Sequence, residues 1–145
     1  MRLILGILIL FVFTTIGDST APERQSLDER QLDCMVKNAF YEANGEGAVG
    51  RQLVMQVVHN RAPDDWCSAV YAYKQFSWTL SPKRPVPRAS YELIKKEVIA
   101  FHAGYDEIPD SFRRATHFHT REINPYWASK LKPLGHWKNH EFYHR

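Results

Sequence analysis

The chain has 145 residues, of which 44% are hydrophobic, 24% charged and 13% aromatic. That is enough for one hydrophobic core, too short for a two-domain cofactor enzyme and too apolar for a disordered chain. A net charge of +3 suits an anionic polymer without selecting one, and two cysteines exclude a disulfide-dense miniprotein. Met1-Arg2 precedes an apolar run from Leu3 to Ile16, interrupted only by Gly6, Thr14 and Thr15. The run is short of the roughly 20 residues that span a bilayer, and Ser19-Thr20-Ala21 offers small residues for cleavage. Residues 1–21 therefore read as a secretory signal peptide or an N-terminal membrane anchor, with residues 3–16 making any membrane association. The domain is expected to be exported, to the periplasm, the cell envelope or the medium. Residues 22–31 read as a linker and the start of the first helix, and residues 32–145 as the working domain.

Ser26-x-x-Glu29 has the form of a capping box, and Leu32, Met35, Val36, Ala39, Phe40 and Ala43 recur with helical period. This predicts a helix over about 27–43, broken by Asn44-Gly45 and Gly47. A second helix over about 49–61 places Val49, Leu53, Val54, Val57 and Val58 on an apolar face. Pro63-Asp64-Asp65 ends it and caps a short third helix through Tyr71. Residues 74–87 form a loop dense in aromatics and prolines. A long helix over about 88–102 follows, stopped by Gly104. The last forty residues have weak periodicity and many aromatics and histidines, which suggests irregular segments or short strands. The fold class is mainly α, with α+β character, and a monomer is expected.

Cys34 lies early in the first helix and Cys67 just beyond the second. If these helices are antiparallel, a disulfide between them is geometrically reasonable. Two separate buried thiols are the alternative. A catalytic thiol is disfavoured, because neither cysteine has a histidine nearby in sequence.

Glu42 is placed at the end of an amphipathic helix, and Glu46 follows in a glycine-rich turn. Burial and the negative end of a helix both raise a carboxyl pKa. A glycoside-cleaving acid needs such a protonated population near neutral pH. The bland alternative for either glutamate is a solvated surface residue. His117-x-His119 and His136-x-x-x-His140 raise the question of zinc. No His-Glu-x-x-His occurs and none of the four sits on a clear helix, so no metal and no cofactor is expected. A non-enzymatic alternative is a wall-binding module that stacks Trp78, Tyr126 and Trp127 on sugars. Nucleic acid is not an expected partner, given the export signal and the lack of a basic stripe.

Residues 34–61 run Cys-Met-Val-Lys-Asn-Ala-Phe-Tyr-Glu-Ala-Asn-Gly-Glu-Gly-Ala-Val-Gly-Arg-Gln-Leu-Val-Met-Gln-Val-Val-His-Asn-Arg. Later come Val70-Tyr71, Gln75-Phe76-Ser77-Trp78, Ala115-Thr116-His117-Phe118-His119, Pro125-Tyr126-Trp127, Gly135 and His140-x-Phe142-Tyr143. Together, over about residues 32–143, these segments closely resemble the bacterial and phage cell wall hydrolase family that includes the spore-cortex-lytic enzymes. The resemblance implies a lysozyme-like catalytic domain acting on the glycan strands of peptidoglycan. It places the family's acidic catalyst on Glu42 and its second acidic position on Glu46. It assigns Gln75, Phe76, Ser77 and Trp78 to the loop lining the groove, and His119 and Tyr126 to the closing segments. Asn44 stands where the motif usually has arginine. Lys74 and Leu80 stand where exported relatives often have cysteines, so a second disulfide is lost and a more mobile loop is expected. The expected reaction is cleavage of the MurNAc–GlcNAc β-1,4 bond, as a lytic transglycosylase or as a muramidase assisted by Glu46. Phage lysis (an endolysin) and bacterial wall remodelling would use the same domain.

Overall fold

The computed structural model describes residues 27–81 and 83–145. The expected signal or anchor, the Ser26 cap and Pro82 lie outside the described residues. Helix α1 spans Glu29–Ala43. It starts two residues later than its apolar period suggests, because Asp28 serves as N-cap, its carboxylate accepting from the Arg30 N–H at 3.1 Å. One 3-10 turn, Asn44–Glu46, then carries the chain into α2, Gly47–Arg61. Asp65 caps α3, Trp66–Tyr71, by accepting from the Ser68 N–H. A second 3-10 turn, Ser77–Leu80, lies inside the aromatic loop, and α4 spans Arg88–His102. Gly104 ends α4 at a φ of 82°, where a side chain would strain the backbone.

The central helix does not behave as the sequence suggests. In α2 every residue from Gly50 to Val58 is buried, so the helix has no solvated face along its middle. It packs against α1, α3 and α4 as the axis of the domain. The polar residues of this buried stretch are satisfied in place. Arg51 makes a two-pronged ion pair with Glu97 at 2.6 and 2.7 Å, and Gln52 accepts from the Glu107 N–H at 3.0 Å. Around this axis Met35, Val36, Leu53, Val57, Val58, Val70, Ile94 and Val98 are sealed from solvent. Each contributes about 1.5–3 kcal/mol of hydrophobic transfer energy.

The last third is more regular than its periodicity suggests. Strands β1 (His117–Thr120), β2 (Lys132–Trp137) and β3 (His140–His144) form an antiparallel sheet in the order β1-β3-β2. Phe118 pairs with Phe142 on the face that meets the helical core, where Phe142 touches Phe112. The domain is mainly α with this small sheet attached. Cys34 and Cys67 form a disulfide across α1 and α3, their Cα atoms 5.4 Å apart. Gln31 reinforces it by accepting from the Cys67 N–H and donating to Asp65. Closing a loop of this length is worth about 2–4 kcal/mol.

Candidate active site

Glu42 occupies the last turn of α1 and is half-buried. Burial raises its carboxyl pKa to about 7, because the ionised form loses solvent, while the Lys83 ammonium pulls it back down. Glu42 makes no hydrogen bond or ion pair with any other described residue. No hydrogen bond to a described residue therefore locks either protonation state, and the pKa stands near neutrality. The turn after it is held from below: Arg51, already fixed by Glu97, donates to the Asn44 carbonyl at 3.2 Å.

One wall beside this turn is aromatic. Tyr41 stacks on Trp78 with ring centres 4.8 Å apart, and Tyr71 meets Trp78 edge-on at 5.8 Å. The Trp78 indole N–H donates to Oδ1 of Asn38, which is fully buried one turn before Glu42 on α1. Trp78 is thus a fixed plate, 9% exposed, rather than a free loop tip. Its open edge lines a cavity of about 420 Å³ with Lys37, Tyr41, Tyr71, Thr79, Leu80, Ser81 and Lys83. Across Tyr41 lies a second hollow, of about 360 Å³, formed by Phe40, Lys83, Arg84, Pro85 and Pro87. The Tyr41 hydroxyl donates to the Arg84 carbonyl at 2.6 Å and pins the loop between the two.

Glu46 sits differently. It is the residue before α2, and its carboxylate accepts from the Asn139 N–H at 3.4 Å, in the turn joining β2 to β3. A Cβ at Gly50 would fall 2.3 Å from the Glu46 Cβ, so this close seat needs glycine one turn on. Glu46 also acts on His140: burial lowers the imidazole pKa, Glu46 opposes that, and His119 adds to it. Glu46 is therefore tied to the β2–β3 turn, while Glu42 feels the charge of Lys83 in the loop after Trp78.

The other predicted site residues are divided between core and surface. Phe76 is buried against Phe118, with the Arg61 guanidinium 5.5 Å over its ring. Gln75 and Ser77 are exposed on either side of it, and Tyr126 is exposed with Lys130 over its ring. His119 is buried, donating from Nδ1 to the Thr120 carbonyl and sharing a hydrogen bond from Nε2 with the Tyr143 hydroxyl. His117, His119, Tyr143 and Trp127 form one ring cluster on the sheet face opposite Phe118. The His117 pKa falls to about 4 through burial and the nearby Arg61 and Arg145. His140 points to the core face and His136 is exposed, so the four histidines do not converge. Among the described residues no group of three metal-binding side chains occurs.

Sequence reasoning gave no site role to Asn38 or Lys83. Asn38 carried a faint signal, an amide on the apolar stripe of α1 at the turn before Glu42. Lys83 carried none, being one cation in a proline-rich loop.

No curated protein and no solved structure matches this chain. One family model does, the cell wall hydrolase family, over residues 45–143. The match begins three residues after Glu42, so the role of that residue rests on its geometry and on the motif around it. It includes Glu46, the aromatic loop and all of the sheet except His144, more than half of the chain. The chain belongs to the cell wall hydrolase family, and its substrate is the peptidoglycan of the cell wall.

Proposed function

We propose that this domain is exported and cleaves the MurNAc–GlcNAc β-1,4 bond of peptidoglycan as a lysozyme-like lytic transglycosylase, with Glu42 as its acid and base. The observation that carries the reading is a single half-buried carboxyl group whose pKa lies near 7 beside a rigid aromatic wall. Protonated Glu42 gives its proton to the glycosidic oxygen, and the C1–O bond of the muramic sugar breaks. The 6-hydroxyl of the same sugar then bonds to C1 and returns its proton to the Glu42 carboxylate. The products are a free GlcNAc 4-hydroxyl and a 1,6-anhydro muramic end. No water is consumed and the acid is regenerated. The nucleophile is tethered to the reacting sugar, so its effective concentration is high without a second carboxylate. Glu46, hydrogen-bonded to the β2–β3 turn, supports this reading, since a group engaged there is poorly placed to steer water.

Mass spectrometry of digested peptidoglycan, before and after borohydride, tests the proposal. Anhydro muramic ends that resist reduction are the expected product. Reducible muramic ends would make the enzyme a muramidase with Glu46 as partner. Reducible N-acetylglucosamine ends would move the cut to the other glycosidic bond. Cut peptide stems with intact glycan would exclude glycan cleavage, and tight wall binding with no new ends would leave a binding module.

A further inference from the structure

The aromatic cavity lined by Tyr41, the residue before Glu42, has a charge character that glycan cleavage alone does not require. Its lining contains two lysines, Lys37 and Lys83, together with the stacked Tyr41 and Trp78. Lys37 is neutralised by Asp33 one turn earlier on α1, at 2.6 Å. Lys83 has no carboxylate within ion-pair distance among the described residues. It also borders the second hollow across Tyr41, so one exposed ammonium serves both concavities. The backbone beside it is fixed by the Tyr41–Arg84 hydrogen bond, which limits the cost of holding the lysine in place. A neutral sugar needs stacking surfaces and hydroxyl partners, not an unpaired cation. Peptidoglycan supplies the matching anion on the sugar that reacts: the carboxylates of the peptide stem, or the lactyl carboxylate once the stem is removed.

We propose that Lys83 is a specificity determinant that pairs with a carboxylate substituent of the muramic residue bound beside Glu42. This rests on the wall-glycan reading above and adds the recognised group. A stem that neutralises Lys83 also offsets its charge on Glu42, so recognition and acid strength are coupled through the same side chain.

The test is binding, which does not depend on which bond is cut. Immobilised glycan strands are prepared with stems, with stems removed by an amidase, and in both forms after carbodiimide amidation of every carboxylate. The unmodified protein should bind the carboxylate forms about 3–10-fold more tightly than the amidated ones, the range of one charge-assisted pair at a partly exposed site. Lys83→Met should lose that preference while keeping its affinity for amidated glycan, and Lys83→Arg should retain much of it. Preference confined to stem-bearing strands assigns the anion to the peptide, and preference shared by stripped strands assigns it to the lactyl group. Equal binding to charged and amidated glycan, or an equal loss by Lys83→Met on both, overturns the proposal. If product analysis excludes glycan cleavage while the charge preference persists, the reaction assignment fails and the anion site stands.

Discussion

Two glutamates four positions apart sit in opposite chemical situations. Glu42 lies in the last turn of α1 and lacks any hydrogen bond to a described residue, and burial holds its pKa near 7. Glu46 precedes α2, accepts from the β2–β3 turn and acts electrostatically on buried His140. The helix break at Asn44-Gly45 is what separates them. On an unbroken helix the two would share a face about 5–6 Å apart. The difference shows that proximity in sequence does not make a carboxylate pair. One group is half-buried without a hydrogen bond to a described residue, as the proposed acid requires, and the other is engaged by the β2–β3 turn.

The largest way to break this contrast is Glu42→Gln. It keeps the shape and removes the proton, so turnover of purified peptidoglycan should fall about 10²–10⁴-fold with an unchanged circular dichroism spectrum. Near-normal turnover would sink the assignment of the acid.

The wall beside Glu42 can be loosened next. Trp78 is both cavity lining and core, so Trp78→Ala should cost about 3–5 kcal/mol of stability, read in a denaturant titration. Trp78→Phe keeps most of the plate but orphans the buried Asn38 amide oxygen, for about 1–3 kcal/mol. If Trp78→Phe keeps its stability, the Asn38 bond is not what holds the plate.

The pH dependence sharpens the same comparison. With Glu42 as the acid, kcat/KM should fall about tenfold per pH unit above an apparent pKa near 7. Stability carries a matching signature. A carboxyl whose pKa is raised on folding stabilises the native state fully below its ordinary 4.5, and that contribution is lost as pH rises to about 7. His117 works the other way, removing stability as pH falls from 6.5 towards 4. The difference between Glu42→Gln and the unmodified protein isolates the first effect. The variant should gain about 1–2 kcal/mol in relative stability between pH 4.5 and 7.5. A parallel pair of stability curves would mean that Glu42 is not desolvated.

The smallest expected effect is at Glu46. Glu46→Gln retains an oxygen for the Asn139 N–H, so turnover should drop by less than about tenfold if the 6-hydroxyl attacks. A loss matching that of Glu42→Gln, with reducible muramic ends, would identify Glu46 as the group that activates water.

Much of this was legible in order along the chain. The period of Leu32, Met35, Val36 and Ala39 marked α1, Asp65 marked the start of α3, and Gly104 marked the end of α4, because caps and periods are local effects. The Cys34–Cys67 bridge followed from adjoining element ends. Glu42 was legible as a helix-end carboxyl in a motif. Tertiary packing alone decided the rest. That α2 is buried on all sides depends on what surrounds it, and its valines give the same period whether one face or all are covered. Short strands were expected there, but their bounds and pairing were not legible, because the strands are short and the inward residues include His140 as well as Phe118 and Phe142. Whether Trp78 was plate or tip depended on a hydrogen bond to Asn38, forty positions away. The raised pKa of Glu42 and the opposing charge of Lys83 were likewise invisible, since desolvation and Coulomb forces act through space, and only the fold sets those distances.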